Sequence, residues 1–322
     1  MRVVAAGVVV LVHVTAMQVT RGAPDLIVRL LNGLSAWGVP FFLPVAGYLH
    51  GRSARAAAEP GAWRLGRVRR IAIPYAFWSL AYMAFRVWVS LRNGTGMPHW
   101  DPVAVVLIGQ ANSSLWFLPA VLYAGLLLSL FPSRRSATLI FMLALAGQVV
   151  LAVAGGHIPY SAFVYRFPLA LASYSAGYLV GTGAIVPAPR AGAIRLVLAS
   201  GLAVGSGAVI AVLPLVHASA GLIGALGQAA TVGMWVVGWL VFVWAAQAGP
   251  RTPVARLAPA SGVVLGVYAS HTLVVMMLAE VIAPTALPAA LWVAVVFPVT
   301  LLVTFSLCAG IARVPVLRPL VA

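Results

Sequence analysis

Along the chain, apolar residues gather into long runs separated by short polar breaks. A helix that crosses a bilayer needs roughly 20 mostly apolar residues. Ten runs suit that length, at about 3–20, 33–49, 71–91, 115–132, 137–155, 161–182, 195–216, 221–246, 262–282 and 289–311. A shorter apolar piece, 102–110, precedes Asn112, Ser113 and Ser114. It is too short to span and suits a re-entrant or interfacial element. The breaks leave no room for a second folded domain. The pattern predicts an all-α membrane protein of about ten transmembrane helices, forming one domain over residues 1–322. The first run opens on a positive charge, as a signal peptide does, but no small-residue cleavage site follows it and it carries His13. We expect it to be retained as a span.

Composition agrees with a membrane chain. Of 322 residues, 63% are hydrophobic and 7% are charged, where soluble domains carry about a quarter charged residues. That excludes a soluble enzyme, a nucleic-acid-binding domain or a disordered tail as a reading of the whole chain. The single cysteine, Cys308, excludes an intrachain disulfide scaffold. Twenty basic residues, all Arg, face four acidic ones, for a net charge of +16. Their placement explains the excess. With a cytoplasmic N-terminus, 15 Arg fall in inner segments, only Arg21, Arg29 and Arg92 fall outside, and Arg86 and Arg166 lie within spans. This is a positive-inside bias, and an even number of spans puts both termini in the cytoplasm. All-Arg usage with high Ala, Gly and Val fits a GC-rich bacterial genome, and hence an inner-membrane location.

Ionisable groups at membrane depth are expensive and mark function by default. Arg2 and His13 are eleven positions apart, about three turns, so both project from one helix face roughly 16 Å apart. An Arg at the cytoplasmic mouth and a His deeper on the same stripe suit a long substrate with an anionic head. The Arg would hold phosphate and the imidazole would act as base. The plainer alternative is a helix-end anchor plus a packed His. His271, inside the ninth run, is either a second site group or a packed polar residue. Arg166 either contacts substrate or snorkels, Arg86 carries a weaker version of the same choice, and Glu280 is a candidate carboxylate partner. His50, His99, His157 and His217 lie at helix ends or in loops, where histidine needs no special role. Arg64, Arg67 and Arg70 recur every third residue and would line one side of a helical turn, either as a topology determinant or as a phosphate-binding rim.

Taken in order, these segments resemble the acyltransferase 3 family of integral membrane acyltransferases. The opening from Arg2 to His13 matches that family's Arg-x10-His signature. Pro40-Phe41-Phe42-Leu43-Pro44-Val45-Ala46-Gly47 is similar to its double-Phe element, with Ala46 where the family has Ser. Arg67-Val68-Arg69-Arg70 before Pro74-Tyr75 resembles its Arg-x-x-Arg element, and Leu115-Trp116-Phe117-Leu118-Pro119 its Trp-aromatic-Leu element. Gly266-Val267-Tyr268 with His271 resembles its late Gly-Ile-Tyr segment. Some members carry an additional soluble esterase-like domain at the C-terminus, which is not expected here.

The resemblance implies an enzyme that moves an acyl group, commonly acetyl, from cytoplasmic acyl-CoA to a hydroxyl of a carbohydrate, glycolipid or related acceptor. Acyl-CoA is then the donor substrate, with no bound cofactor and no metal. The expected partners are donor, acceptor and membrane lipids, without nucleic acid. In this reading Arg2, Arg67 and Arg70 grip the CoA phosphates, and His13 deprotonates the acceptor hydroxyl. Trp116, Tyr268, His271 and Arg166 supply substrate or oxyanion contacts. Two other classes stay open at this point: a multi-span transporter or flippase of a glycan or small solute, and a scaffold that keeps the fold without the chemistry. Against the transporter, residues 1–160 and 161–322 show no convincing repeat of the kind many transporters are built from.

Overall fold

The computed structural model describes residues 1–21, 25–56, 60–154, 161–186, 192–213, 220–247 and 260–321. His157, His217, Arg190, Arg251 and Arg256 fall outside them, as do the side chains of Arg55, Arg64 and Arg67. The described residues form helices and no strands. In chain order these are α1 (Arg2–Arg21), α2 (Leu26–Ser35), α3 (Gly38–Ala56), α4 (Pro60–Asn93), α5 (Pro102–Ile108), α6 (Phe117–Leu130), α7 (Arg134–Ala154), α8 (Ser161–Gly181), α9 (Gly192–Val212), α10 (Ala220–Gln247), α11 (Val264–Val281) and α12 (Ala289–Arg313). In a bilayer only internally bonded backbone is tolerated, which is why apolar runs of this length become helices.

Seven helical stretches among the described residues are long and apolar enough to cross a membrane, one of them being Leu26–Ser53, where α2 and α3 follow one another. The run at 33–49 is therefore not one uninterrupted helix. The chain turns between Ser35 and Gly38, and α2 is a separate amphipathic helix whose start is fixed by Asp25, which accepts from Val28 N–H at 2.9 Å. Helix α6 has only 14 residues, because Leu115 and Trp116 belong to the turn before it. The short piece at 102–110 is helical as α5, capped by Asp101 at one end and by Gly109 with φ 79° at the other.

The backbone divides into two compact units. The first comprises Met1–Phe42 and Pro187–Gly310. Here α2 lies on α9, α9 on α10, and α1 on both α2 and α11, around a core of Val10, Val14, Val28, Val275, Ala279, Trp292, Val293 and Val296. Small residues let backbones meet: a Cβ on Gly33 would stand 2.3 Å from Gly207 O, and one on Gly238 would stand 2.8 Å from Phe41 N.

The second unit comprises Leu43–Val186 and Ile311–Ala322. Its tightest contact pairs Gly47 and Gly51 of α3 with Gly177 and Gly181 of α8, two Gly-x-x-x-Gly stripes facing each other. A Cβ on Gly47 would fall 1.9 Å from Tyr174 O, and one on Gly177 would fall 2.1 Å from Pro44 O. Helix α5 is held from its neighbours by two tyrosines. The Tyr75 hydroxyl donates to Val105 O, and Tyr123 donates to Leu107 O at 2.6 Å, so carbonyls that a short helix leaves open find donors.

Candidate active site

Within the first unit α1 runs parallel to α11 and meets it, and the residues just before and after it, at three levels. At the first, Arg2 Nη2 donates to Ser261 Oγ at 3.2 Å. At the second, His13 Nδ1 lies 3.2 Å from His271 Nε2, the ring centroids 4.8 Å apart at an interplanar angle of 67°. At the third, Gln18 Nε2 donates to Pro284 O at 2.9 Å. Eleven positions separate Arg2 from His13, and ten separate Ser261 from His271. The two helices thus stay in register from the exposed Arg2 end inward.

The hydrogen bonds settle where the imidazole protons sit. In a helix a side chain leans back over the preceding turn, and both rings do so. His13 Nδ1 lies 2.9 Å from Val9 O. His271 Nδ1 lies 2.6 Å from Tyr268 O and 3.2 Å from Val267 O. A carbonyl oxygen only accepts, so each Nδ1 carries its hydrogen. His13 therefore also donates toward His271 Nε2, which must be a bare acceptor, and the Thr272 hydroxyl donates to the same nitrogen at 3.1 Å. In the neutral tautomer this places the lone pair of His13 on Nε2. His13 is half-buried whereas His271 is 0% exposed, so the inner ring orients the outer one. This is the logic of a base held by a second group.

Tyr268 lies beside the pair, its ring 5.8 Å from that of His271 and 6.2 Å from that of Phe42. Phe41 and Phe42 are buried and pack edge to face at 5.6 Å, which makes the double-Phe element a wall. With Nδ1–H committed to Tyr268 O and Nε2 accepting, neither nitrogen of His271 is aimed at an oxyanion in this arrangement. Its bonds direct it to His13.

Of the other sequence candidates, Glu280 lies on α11 in the first unit, and Arg67, Arg70, Arg86, Trp116 and Arg166 belong to the second unit. Arg67 and Arg70 lie on α4, where Arg70 is exposed. Arg166 on α8 places its guanidinium 5.5 Å from the Trp116 ring centroid, and Trp116 immediately precedes α6. A Cβ on Gly109 would come within 2.7 Å of Trp116 N, so the end of α5 fixes that tryptophan. Among the described residues no group of three His, Cys, Asp or Glu could hold a metal ion. Cys308 is buried with Ser270 Oγ 3.7 Å from its sulfur.

Sequence reasoning named His13 and His271 separately and missed their pairing. It also missed Thr272 and α2. Comparison with known proteins bears out the family resemblance: a model described as an acyltransferase domain matches residues 1–309. No curated protein and no solved structure matches. The chain belongs to the family of that acyltransferase domain and is a membrane acyltransferase by that membership.

Proposed function

We propose that this acyltransferase moves an acyl group, acetyl in the first instance, from acyl-CoA to a hydroxyl of a carbohydrate, glycolipid or related acceptor at the membrane. The observation that carries the reading is the His13–His271 pair, with the lone pair of His13 on Nε2. In the proposed step His13 Nε2 takes the proton of the acceptor hydroxyl as its oxygen attacks the thioester carbonyl. The C–S bond then breaks, and the same proton passes from Nε2 to the departing thiolate. While His13 is an imidazolium, its Nδ1–H bond to His271 Nε2 is charge-assisted, which stabilises the charge it acquires.

Arg2 is proposed as a contact for the donor's phosphates. It stands about 16 Å along α1 from His13, a separation that suits the long arm between a CoA headgroup and its thioester. Its bond to the neutral Ser261 hydroxyl orients the guanidinium without neutralising it. Arg67 and Arg70 are proposed as further phosphate contacts, and Trp116, Tyr268 and Arg166 as substrate or oxyanion contacts, on sequence spacing and resemblance alone. The Arg distribution favours both termini in the cytoplasm; ten spans are proposed on the apolar runs, and a bacterial inner membrane on the composition.

The test uses the purified chain in membranes with radiolabelled acetyl-CoA and a panel of surface glycans. Label transfer that vanishes in His13→Ala is the expected result. Transfer that survives that substitution removes the base, and solute uptake without transfer favours a transporter.

A further inference from the structure

Helix α2, absent from the apolar-run pattern, has a polar side chain that reaches α1 beside the base. Asn32 Nδ2 donates to Val12 O at 2.9 Å and to Thr15 Oγ1 at 3.0 Å. A side-chain amide has two N–H hydrogens, and both are used. The opposite amide orientation would set Oδ1 against the Val12 carbonyl, so the bonds fix which end is nitrogen. Thr15, wholly buried, in turn donates to Leu11 O at 2.8 Å. The grip thus covers the turn from Leu11 to Thr15, in the middle of which lies His13.

The other side of the grip is equally firm. Gly33, the next residue, lies against the backbone of Gly207 on α9, with no space for a Cβ, and Asp25 caps the start of α2. Helix α2 is therefore a bracket: glycine seats it on α9, and asparagine holds α1. The His271 bond constrains the His13 ring from α11, while the Asn32 bonds constrain the helix turn beneath it from α2.

We propose that Asn32 is a positioning residue for His13, setting the rotation and axial register of the α1 turn that carries the base. The proposal rests on the reading of His13 as base. A displacement of about 1 Å at a reacting group can cost about a hundredfold in rate, and loss of the bracket frees α1 to shift by a distance of that order.

The experiment uses the full chain reconstituted in membranes, with radiolabelled acetyl-CoA and the glycan panel, comparing Asn32→Asp, Asn32→Ala, Asn32→Gln and His13→Ala. Asn32→Asp keeps the shape and loses both donors. It is expected to lower kcat per folded protein by about 10- to 100-fold while the acetyl-CoA KM stays within about twofold. Asn32→Ala gives the same split if the charged variant does not fold. Asn32→Gln restores the donor and recovers most of the loss, which a space-filling role would not require. Wild-type kcat in Asn32→Asp or Asn32→Ala, with His13→Ala inactive, overturns this inference alone. So does a loss that tracks unfolding in thermal melts and is not relieved by Gln. Wild-type transfer in His13→Ala overturns the base reading and this inference with it.

Discussion

In the first unit His13 and His271 pin Nδ1 to the carbonyls of their own helices, and in the second unit His50 does not. His50 Nδ1 lies 2.9 Å from the Tyr174 hydroxyl, and its Nε2 lies 3.4 Å from Ser129 Oγ. Because the Ser129 hydroxyl donates to Gly125 O at 2.7 Å, it accepts from His50 Nε2–H, which leaves Nδ1 to accept from Tyr174. His50 is 1% exposed, and each ring nitrogen ends on a protein hydroxyl. The chain Tyr174–His50–Ser129–Gly125 joins α8, α3 and α6 and ends on a backbone carbonyl. At His13 the carbonyl of Val9 holds Nδ1, which leaves the lone pair on Nε2 in the neutral ring. The two histidines thus differ in where their protons point: His50 uses both nitrogens on neighbouring hydroxyls, and His13 holds Nδ1 on its own helix.

The largest test of this contrast is at the base. His13→Gln keeps a polar side chain but removes the basic nitrogen, and kcat for label transfer is expected to fall by about 10²–10⁴-fold with little change in melting temperature. His50→Phe is expected to do the reverse. Leaving Tyr174 or Ser129 without its partner costs about 1–3 kcal/mol of stability, read as a lower melting temperature, with kcat per folded protein unchanged. A His50→Phe enzyme that folds normally but transfers no label would erase the distinction.

A companion test concerns the helix seam next to His50. In Gly47→Ala the new methyl would stand 1.9 Å from Tyr174 O, and that contact is with backbone, so no side-chain rotation relieves it. Overpacking of this kind costs about 1–3 kcal/mol, and the melting temperature should drop accordingly. An unshifted melt would mean that α3 and α8 do not meet as closely as the glycine stripes place them.

How legible these features are in sequence follows from what each depends on. The shared face of Arg2 and His13 needs only the helical period, and it could be read directly. The pairing of His13 with His271 needs α1 and α11 to be parallel and in register, which no local pattern encodes. The helix break near Trp37 is invisible to hydropathy because the residues around it, Ala36-Trp37-Gly38-Val39, are apolar or small. The Gly-x-x-x-Gly spacings at 47–51 and 177–181 are visible as motifs, but which stripe meets which is a tertiary fact. A tautomer is least legible of all, since it is set by atoms on neighbouring turns and helices.

The smallest expected effects lie at the exposed end of the α1–α11 pair, and they separate binding from chemistry. Hydrogen bonds to a charged group contribute about 1.5–3 kcal/mol, and each 1.4 kcal/mol corresponds to about tenfold in affinity. If Arg2 holds donor phosphate, Arg2→Ala should raise the acetyl-CoA KM about tenfold or more and leave kcat within about twofold, because the lost contact is made equally in ground and transition states. Ser261→Ala removes only the group that orients the guanidinium and leaves its charge in place, so its KM should rise less than that of Arg2→Ala. The KM increase from Arg2→Ala should also shrink at high salt, where screening weakens the wild-type contact. An Arg2→Ala enzyme with unchanged KM and reduced kcat would move Arg2 from the donor's headgroup to the support of α1. The Arg2–Ser261 bond would then be a helix tie like Gln18 to Pro284, and the donor's phosphates would need another cation.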